Sequence, residues 1–378
     1  MDNRKLNIAM AGGGTGGHVF PIKSLIDFIY QNPEYRSKIK KIYRFGKKTS
    51  LEKDAFQTLK SQYNKHGIQL IFVPIFSGKY RRETRWDYRL KNIFDAFLFL
   101  IGIFQSLFYL LYYKINVIFC KGGYVALPIV LAGILFRKKI IVHESDTHPG
   151  LVNKIASRFA NKIFTGFDGS IPNGQTVGQI LSADILHGLS HINSHSSQET
   201  KTRILITGGS QGSNKLYKNI LNIIKKNSEF QSKFIFDIVL GLLNSDMSTD
   251  FDTLPNVNVY KFLSQKEMGN LLQNCDIGIT RGGTTLLAEQ KLFNLKLIII
   301  PIPWTHDQND NAKFYVQHYG DISLNQRDEN FNSELTKILF AHIGYKKNPI
   351  SDLEIFRSET LNKISKTKRA IISSILEY

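Results

Sequence analysis

Hydrophobic positions along the chain fall into short continuous runs, separated by longer segments with helical spacing. The first run, 6–11, is followed by a glycine-rich turn and then by a helical pattern. The same order returns about 195 residues later, where the run 203–207 also precedes a glycine-rich turn and a helix. Strand, glycine turn and helix form the first unit of a doubly wound sheet. The pattern therefore predicts two similar α/β domains.

Further apolar runs continue this alternation in both halves of the chain. They are continuous and do not alternate with polar residues, which is typical of parallel strands covered on both faces. We predict strands at 41–45, 68–74, 117–120, 140–143 and 162–165 in the first half, and at 234–239, 257–261, 277–280 and 296–301 in the second.

The predicted organisation has four parts. Residues 1–182 form a first Rossmann-like domain and residues 202–351 a second. Between them lies 183–201, a linker or surface loop that contains a stretch rich in Ser, His and Asn without apolar periodicity. Residues 352–378 have a helical pattern and are a candidate for a helix that packs back on the first domain. A chain of 378 residues is long enough for two such cores.

The charge of the chain narrows the classes of partner. There are 49 Lys and Arg against 31 Asp and Glu, a formal net charge of +18. This excess favours nucleic acid, an anionic membrane or a phosphorylated substrate, although a lysine-rich composition alone can also produce it. Cys120 and Cys275 lie in apolar runs and offer neither a disulfide framework nor zinc spacing. The amino-terminal residues lead directly into the first strand, so the cytoplasm is the expected compartment.

The first glycine turn, Gly12–His18, contains candidate chemistry. Glycines after a strand let the backbone approach an anion, and the following helix start offers free N–H groups. A nicotinamide-dinucleotide enzyme would place an acid after the second strand, where this chain has Phe45–Lys48. A P-loop is excluded because no Gly-Lys-Ser or Gly-Lys-Thr follows. His18 could accept a proton at physiological pH; the alternatives are a glycine turn without a ligand and a histidine that packs at the helix start.

Five segments, in order, resemble one known family. They are 13–21 (Gly-Gly-Thr-Gly-Gly-His-Val-Phe-Pro), Gly122–Val125, His143-Glu144 followed by 150–154, Gly208–Gly212, and Arg281–Gly283 with Glu289, Asp307, Gln308, Asn311 and Ala312. Over roughly residues 6–320 the chain resembles the MurG-type N-acetylglucosaminyltransferases. The resemblance implies the GT-B fold, in which two Rossmann-like doubly wound domains face each other across a cleft.

The activity that the resemblance implies is inverting transfer of GlcNAc. The donor would be UDP-GlcNAc, and the acceptor would be the lipid-linked diphospho-sugar undecaprenyl-diphospho-MurNAc-pentapeptide (lipid I). The product would be lipid II for peptidoglycan. No cofactor and no obligatory metal are implied.

The resemblance also assigns residues to the donor and to the acceptor. Glu289 would hold the ribose, Gln308 the GlcNAc, and the main chain around Phe262–Leu263 the uracil. The full donor-binding set is Thr15, Gly16, Gly17, Ser210, Gln211, Gly212, Phe262, Leu263, Arg281, Glu289 and Gln308. The acceptor-binding set is Gly14, Tyr124, Glu144 and Asp146, with His18 on the same side.

Inverting transfer needs a base for the acceptor hydroxyl and a positive environment for the departing diphosphate. We assign His18 as the base in preference to Glu144, and these two residues are the catalytic candidates. The N–H groups of 208–212 and the Arg281 guanidinium would stabilise the diphosphate, with a salt bridge as the alternative role of Arg281. Asp250 and Asp252 form an Asp-x-Asp pair that no further carboxylate or histidine supports, so we expect no metal site.

Three places depart from the family pattern. The first domain ends in 179–182 (Gln-Ile-Leu-Ser) where the family has Asn-Pro-Val-Arg, Asp146 replaces an asparagine, and Asp307 stands where Gln or His is usual. These departures keep open another GT-B transferase that acts on a different lipid. A UDP-sugar epimerase on the same fold is a further alternative. A nucleic-acid-binding protein would rest on charge alone, so we expect no nucleic-acid partner.

A long apolar segment, 93–113, follows a basic and aromatic stretch. Its length is near the ~20 residues that span a bilayer, yet Asp95, Gly102, Ser106, Tyr109 and Tyr113 form one weakly polar stripe. A core helix, a helix that also docks on a membrane and a true span are the alternatives, and docking is favoured over the other two. We assign membrane contact to Arg81, Arg82, Arg85, Trp86, Phe97, Phe104 and Phe108.

These assignments predict a peripheral protein on the cytoplasmic side of an anionic cell membrane. The sequence leaves the oligomeric state open.

Overall fold

The computed structural model describes residues 5–47, 50–63, 68–78, 86–189 and 200–377. The predicted membrane contacts Arg81, Arg82 and Arg85 and the stretch 190–199 of the predicted linker lie outside these ranges. The chain divides into two compact units. One comprises Met1–Ile180 and Ser365–Tyr378, and the other comprises Leu181–Ile364.

The first unit is built on a parallel sheet. Its strands are β1 (Leu6–Ala11), β2 (Ile39–Gly46), β3 (Gln69–Pro74), β4 (Val117–Cys120), β5 (Lys139–Glu144), β6 (Lys162–Thr165) and β7 (Gln175–Thr176), in the spatial order β3-β2-β1-β4-β5-β6-β7. Its helices are α1 (Gly16–Gln31), α2 (Pro33–Ser37), α3 (Ser50–Tyr63), α4 (Trp86–Tyr112), α5 (Leu127–Leu135) and α6 (Leu151–Ala156). The order reverses at β1, as in a doubly wound sheet.

The second unit repeats this order. Its strands are β8 (Thr202–Thr207), β9 (Phe234–Val239), β10 (Val257–Tyr260), β11 (Ile277–Thr280), β12 (Lys296–Ile299) and β13 (Ile322–Ser323), in the spatial order β10-β9-β8-β11-β12-β13. Its helices are α7 (Asn214–Lys226), α8 (Phe230–Lys233), α9 (Gln265–Asn274), α10 (Thr284–Leu292), α11 (His306–Tyr319) and α12 (Phe331–Ala341), and α13 (Leu353–Leu376) ends the chain.

The predicted class, two Rossmann-like α/β domains, is confirmed. The structure also explains why the strand runs are continuous. In β1, Ile8 and Met10 enter one buried cluster, while Ala9 and Ala11 enter a second cluster on the opposite face. Both faces of the strand are therefore covered by helices, and no position needs a polar residue. The two-residue strands β7 and β13 were not predicted, because two residues carry no periodic signal.

The boundary between the units differs from the predicted linker. A 3-10 helix at Ala183–Leu186 belongs to the second unit, and its Ile185 is fully buried. The carbonyl of Ile185 lies where a Cβ on Gly269 of α9 would stand, so the two backbones are in close contact. The segment 183–189 therefore packs on the second unit, and the Ser- and His-rich composition that suggested a loop begins only after it.

Helix α4 presents its apolar side outward. Gly102 and Ser106 of the predicted weakly polar stripe are buried, and Ser106 Oγ donates to the Gly102 carbonyl at 2.7 Å. A Cβ on Gly102 would meet the carbonyl of Phe76, so small residues let the helix approach the sheet closely. The opposite side, with Phe97, Phe104 and neighbouring apolar residues, is exposed. At Gly102 and Ser106 the weakly polar stripe therefore faces the protein.

The last helix, α13, begins in the second unit and ends in the first. Its final turns bury Ile371, Ile372 and Ile375 in the core beside β1 and α1. Lys368 adds a cation–π contact, with Nζ 5.6 Å from the centre of the Phe28 ring. Helical spacing in the sequence therefore corresponds to a buried stripe that closes the first core.

Removal of one of these isoleucines tests the contribution of α13. We expect Ile372→Ala to lower the free energy of unfolding by about 3 kcal/mol, because a fully buried side chain leaves a cavity. Urea unfolding measures this change. The matched control is Ile355→Ala at an exposed position of the same helix, where the change should stay within about 0.5 kcal/mol. Equal effects of the two substitutions would contradict the packing of this helix end.

Candidate active site

The first glycine loop connects β1 to α1. Gly123, in the turn after β4, has φ +78°, and a Cβ there would overlap the carbonyl oxygen of Gly13 and stand 3.0 Å from His18 Cδ2. Gly14 has the ring of Tyr124 against it, with Cε1 2.8 Å from the position of a Cβ. These contacts require glycine at close backbone approaches. They bring Gly14, His18 and Tyr124, which the sequence assigned to one side, into one cluster.

Two buried charged side chains, Arg44 and Glu52, fix the conformation of this loop. The Arg44 guanidinium donates to the carbonyl oxygens of Gly12 and Phe45. The Glu52 carboxylate accepts from the Gly14 N–H at 2.9 Å and from the Lys47 N–H at 2.8 Å. Burial lowers the pKa of Arg44 to about 10, against the charge of Glu52. The Gly14 N–H therefore serves the protein's own carboxylate in this conformation.

Sequence reasoning missed both residues. Arg44 carried a signal, because it is a charge inside the otherwise apolar end of β2 and is only 4% exposed. Glu52 carried none, since it lies on α3, 38 residues beyond its Gly14 partner. A nicotinamide-dinucleotide enzyme would have a ribose-binding acid directly after β2. In this chain the nearby acid is Glu52 of α3, and it binds the backbone of the glycine loop.

His18 lies at the first turn of α1 with its ring enclosed by the loop. Burial, reinforced by the charge of Lys121, lowers the pKa of His18 to about 3. The imidazole is therefore neutral at physiological pH, and its Nδ1 is buried without a hydrogen-bond partner. A neutral ring can accept a proton, but a lowered pKa makes it a weaker base, so catalysis would need its orientation as much as its basicity.

Glu144, at the end of β5, is saturated with hydrogen bonds. Its Oε1 accepts from the N–H groups of Ser145 and Asp146 at 2.7 and 2.9 Å. Its Oε2 accepts from the Gly150 N–H at 3.1 Å and from Asn153 Nδ2 at 2.9 Å. The carboxylate therefore holds the segment 145–150 in place. This geometry favours a positioning role for Glu144 and leaves His18 as the better candidate for the base.

The departure at the end of the first unit has a local explanation. Gln179 donates through Nε2 to the carbonyl oxygen of Ser145 at 2.7 Å, so it supports the same segment that Glu144 organises. Ser182 accepts from the Asp184 N–H at 3.3 Å and begins the 3-10 helix. Asp307 is exposed in the first turn of α11, where a negative charge suits the helix dipole.

The second glycine loop connects β8 to α7. Gly212 has φ +79°, and a Cβ there would overlap the Leu240 carbonyl, so this position also requires glycine. The carbonyls of Ser210 and Gln211 accept from the N–H groups of Leu242 and Leu243 at 3.0 and 3.2 Å. The loop is therefore clamped from the strand side, and α7 begins directly after it. Such a helix start is a suitable place for a phosphate.

Arg281, at the end of β11, adds a buried positive charge near this loop. Its guanidinium donates to the Ile300 carbonyl at 2.9 Å, to Gln326 Oε1 at 2.8 Å, and to Ser213 Oγ. Burial lowers the pKa of Arg281 to about 10. Within the described part of the chain no carboxylate pairs with it, and Nε has no partner. The salt-bridge alternative for Arg281 therefore finds no support among these residues.

Glu289 and Gln308 lie on the two helices that follow. Glu289 is buried on α10, and burial raises the pKa of its carboxyl to about 7, against a hydrogen bond from Gln265. Gln308 Oε1 accepts from the N–H groups of Gly282 and Ile302 at 3.2 and 3.1 Å. Its side-chain NH₂ is therefore the group left to meet a ligand.

Phe262 and Leu263 follow β10 at the same edge of the sheet. Phe262 is exposed, and the next residue, Ser264, caps α9 through a reciprocal pair of bonds with Glu267. The cap fixes the backbone at the position that was assigned to the uracil.

Asp250 and Asp252 are exposed at the end of a 3-10 segment, Ser245–Phe251. Among the described residues no group of three or more His, Cys, Asp or Glu side chains is arranged to hold a metal ion.

The two sheets have the same strand order, and each has a clamped glycine loop at the carboxyl end of its first strand. Two such sheets and loops in one chain are the architecture of the GT-B class of proteins. Residues 8–165 match the glycosyltransferase family 28 N-terminal domain, and residues 203–348 match its C-terminal domain. The chain therefore belongs to glycosyltransferase family 28, and within it to the MurG-type transferases.

Curated relatives carry a specific name, UDP-N-acetylglucosamine--N-acetylmuramyl-(pentapeptide) pyrophosphoryl-undecaprenol N-acetylglucosamine transferase. The protein of this name from Borrelia garinii subsp. bavariensis is 32% identical over 390 residues, covering 100% of this chain and 97% of the relative. The one from Legionella pneumophila is 31% identical over 365 residues, covering 92% and 91%.

Solved structures extend the likeness in fold. MurG from Acinetobacter baumannii has a TM-score of 0.66 at 20% identity, covering 99% of this chain and 100% of that one. A UDP-N-acetylglucosamine 2-epimerase has a TM-score of 0.52 at 13% identity, covering 94% and 95%. At these identities the likeness concerns the fold alone.

The raised pKa of Glu289 predicts a pH-dependent stability. The folded chain holds this proton up to about pH 7, whereas a free carboxyl loses it near 4.5. Its contribution is therefore complete below that lower pH and is lost as the pH rises through about 7. We expect Glu289→Gln to gain roughly 3 kcal/mol relative to the unsubstituted protein between pH 4.5 and 8. Urea unfolding across this range measures the difference.

The control for this prediction is Glu334→Gln, at an exposed position of α12. Its stability difference from the unsubstituted protein should stay flat with pH. A flat difference for Glu289→Gln would show that Glu289 is not held in its protonated form by burial.

Proposed function

We propose that this chain transfers GlcNAc from UDP-GlcNAc to the MurNAc of undecaprenyl-diphospho-MurNAc-pentapeptide, with inversion at the anomeric carbon. This step converts lipid I to lipid II in peptidoglycan synthesis, on which cell shape and cell division depend. The observation that carries the proposal is that five motifs of the family occur in the same order in this chain. Two of them form the clamped glycine loops of the structure. Relatives at about 30% identity over nearly the whole chain support the donor and the acceptor named here.

The second unit supplies the donor-side groups. A diphosphate has two negative charges. The N–H groups at the start of α7 and the buried guanidinium of Arg281, which no described carboxylate pairs with, would stabilise them. Ser210, Gln211 and Gly212 would contact it. Glu289 would accept from the ribose hydroxyls, and Gln308 would donate to the sugar through its free NH₂ group. Together these groups would stabilise the UDP as it departs.

The first unit supplies the acceptor-side groups. His18 would take the proton of the attacking acceptor hydroxyl, whose oxygen forms the new bond to the anomeric carbon as the bond to UDP breaks. Thr15, Gly16 and Gly17, which belong to the donor-binding set, lie at the start of α1 and offer a second helix start for phosphate oxygens of the donor. Tyr124 and the segment 145–150, which Glu144 holds, would line the acceptor.

The transfer itself is tested with radiolabelled UDP-GlcNAc and a short-chain lipid I analogue, in EDTA. Label should enter the lipid fraction only when the acceptor is present. UDP-glucose and UDP-GalNAc run in parallel, because Asp146, Ser182 and Asp307 depart from the family pattern. Transfer of another sugar, or to another lipid alone, would replace the proposed substrate. UDP binding without any transfer, by protein with a native unfolding curve, would refute the proposal.

Replacement of His18 tests the base. We expect His18→Ala to lower kcat by about 100-fold or more, since general bases contribute about 10²–10⁴, while the donor KM changes less than about twofold. The matched control is His187→Ala, whose side chain is 65% exposed and whose removal should leave both constants unchanged. If His18→Ala keeps wild-type kcat, His18 takes no part in the proton transfer.

We propose also that the first unit docks on an anionic membrane through α4, at the cytoplasmic face. Trp86, Phe97, Phe104 and Phe108 are 78%, 61%, 71% and 59% exposed on this helix. Among the described residues one helix segment, Arg89–Tyr112, is long and apolar enough to span a bilayer, but only 17% of its most apolar window is buried. A core helix would be mostly buried. Docking agrees with this exposure. A true span would separate β4 from the earlier strands, whereas β4 pairs in the same sheet directly after α4.

Loss of aromatic surface tests the docking. We expect the triple variant Phe97→Ser, Phe104→Ser and Phe108→Ser to lose about tenfold or more of its binding to vesicles with about a third of anionic lipid. Co-sedimentation measures the bound fraction. The control is the double variant Ile355→Ser and Leu361→Ser, at exposed apolar positions of α13, which should bind as before. Unchanged binding of the triple variant would remove α4 from the membrane contact.

A further inference from the structure

Lys121 is a fully buried charge directly after β4. Its side chain is 1% exposed. The Lys121 N–H donates to the Ala11 carbonyl at 2.8 Å and so extends the pairing of β4 with β1. Its Cβ stands 2.9 Å from the position that a Cβ on Gly12 would take. The side chain therefore lies directly against the first glycine loop, and no assignment made from the sequence included it.

The ammonium group of Lys121 has few partners for a buried cation. Nζ donates to Ser145 Oγ, and among the described residues no carboxylate forms an ion pair with it. Burial lowers the pKa of Lys121, while the charges of Glu144 and Asp146 act in the opposite direction. Glu144 ends β5, and Asp146 lies in the segment that follows it. The lysine thus reaches from the glycine loop toward the acceptor-side segment 145–150.

His18 packs on the turn that begins at Lys121. A Cβ on Gly123, two residues after Lys121, would stand 3.0 Å from His18 Cδ2. The turn Lys121–Gly123 therefore lies beside the imidazole, while the Lys121 ammonium contacts the segment 145–150. Burial of a charge that has no carboxylate partner costs free energy. Stability alone therefore does not account for a lysine at this position.

We propose that Lys121 is a positioning residue that couples His18 to the segment 145–150. The turn that it begins packs on the imidazole, and its ammonium fixes Ser145. The inference rests on the proposed function, in which His18 accepts the acceptor proton. Lys121 itself does not touch the reacting atoms.

The charges around the imidazole come from several elements. Arg44 of β2 acts on His18 in the same direction as Lys121. Glu52 of α3 lies at the glycine loop, and Glu144 and Asp146 face the ammonium. Burial, and then the charge of Lys121, lower the pKa of His143 of β5. Among the described residues, removal of the Lys121 charge leaves Arg44 as the cation that acts on the ring, so the ring should become easier to protonate.

The test is the pH profile of kcat/KM for the acceptor, measured in full-length protein. Lys121→Met removes the charge and keeps the length of the side chain. We expect the acid limb of the profile to move upward by about one pH unit or more, since loss of one nearby unit charge is worth a shift of that order. We also expect kcat at pH 7 to fall about tenfold or more, with the donor KM within about twofold of the wild-type value.

The matched control is Ser145→Ala. It removes the hydroxyl that the ammonium binds and leaves the charge in place. We expect it to raise the acceptor KM while the acid limb stays at the wild-type pH. A merely structural lysine would lower the unfolding midpoint in Lys121→Met without moving the acid limb, and that result would overturn the proposal. Lys121→Gln is measured beside Lys121→Met, so that one neutral variant with a native unfolding curve decides the outcome.

Failure of the proposed function gives a different result. If wild-type protein transfers no GlcNAc, the function proposed above is wrong. If wild-type protein transfers GlcNAc and both neutral variants keep its acid limb, the role of Lys121 alone is wrong.

Discussion

The close packing of the first glycine loop against the turn Lys121–Gly123 determines the geometry of the first unit's site. The turn stands so near the loop that a side chain on Gly123 would overlap the Gly13 carbonyl. Because the two backbones touch, His18 packs against Gly123 and the ring of Tyr124 packs against Gly14, at the carboxyl end of the sheet.

Each of the two units contains a buried arginine near its glycine loop. Arg44 donates to the carbonyl of Gly12, and Arg281 to the carbonyl of Ile300. A guanidinium with carbonyl partners keeps much of its positive potential, because a carbonyl offsets less charge than a carboxylate does. Such potential beside a helix start favours phosphate oxygens. The two arginines differ in their acidic partners. Glu52 approaches Arg44 to 3.9 Å, whereas no described carboxylate pairs with Arg281.

Helix α4 shows how one element can serve both the core and the surface. Its inner side is small and weakly polar, with Gly102 and Ser106 against the protein. Its outer side is aromatic, with Phe97, Phe104 and Phe108 exposed. This is the reverse of an ordinary surface helix, whose apolar stripe faces inward. A large exposed apolar surface of this kind is a signature of interaction, and a long-chain lipid acceptor provides a reason for it.

The sequence alone determined the two sheets, their glycine loops and the family. Continuous apolar runs identify buried parallel strands locally, and the five motifs keep their order along the chain. Tertiary structure decided which side of α4 is buried, because periodicity defines a stripe but not the direction in which it points. It also decided the partners of Glu52 and Gln179, which lie 38 and 34 residues from Gly14 and Ser145. Such contacts depend on how strands and helices meet in space, and no local pattern encodes them.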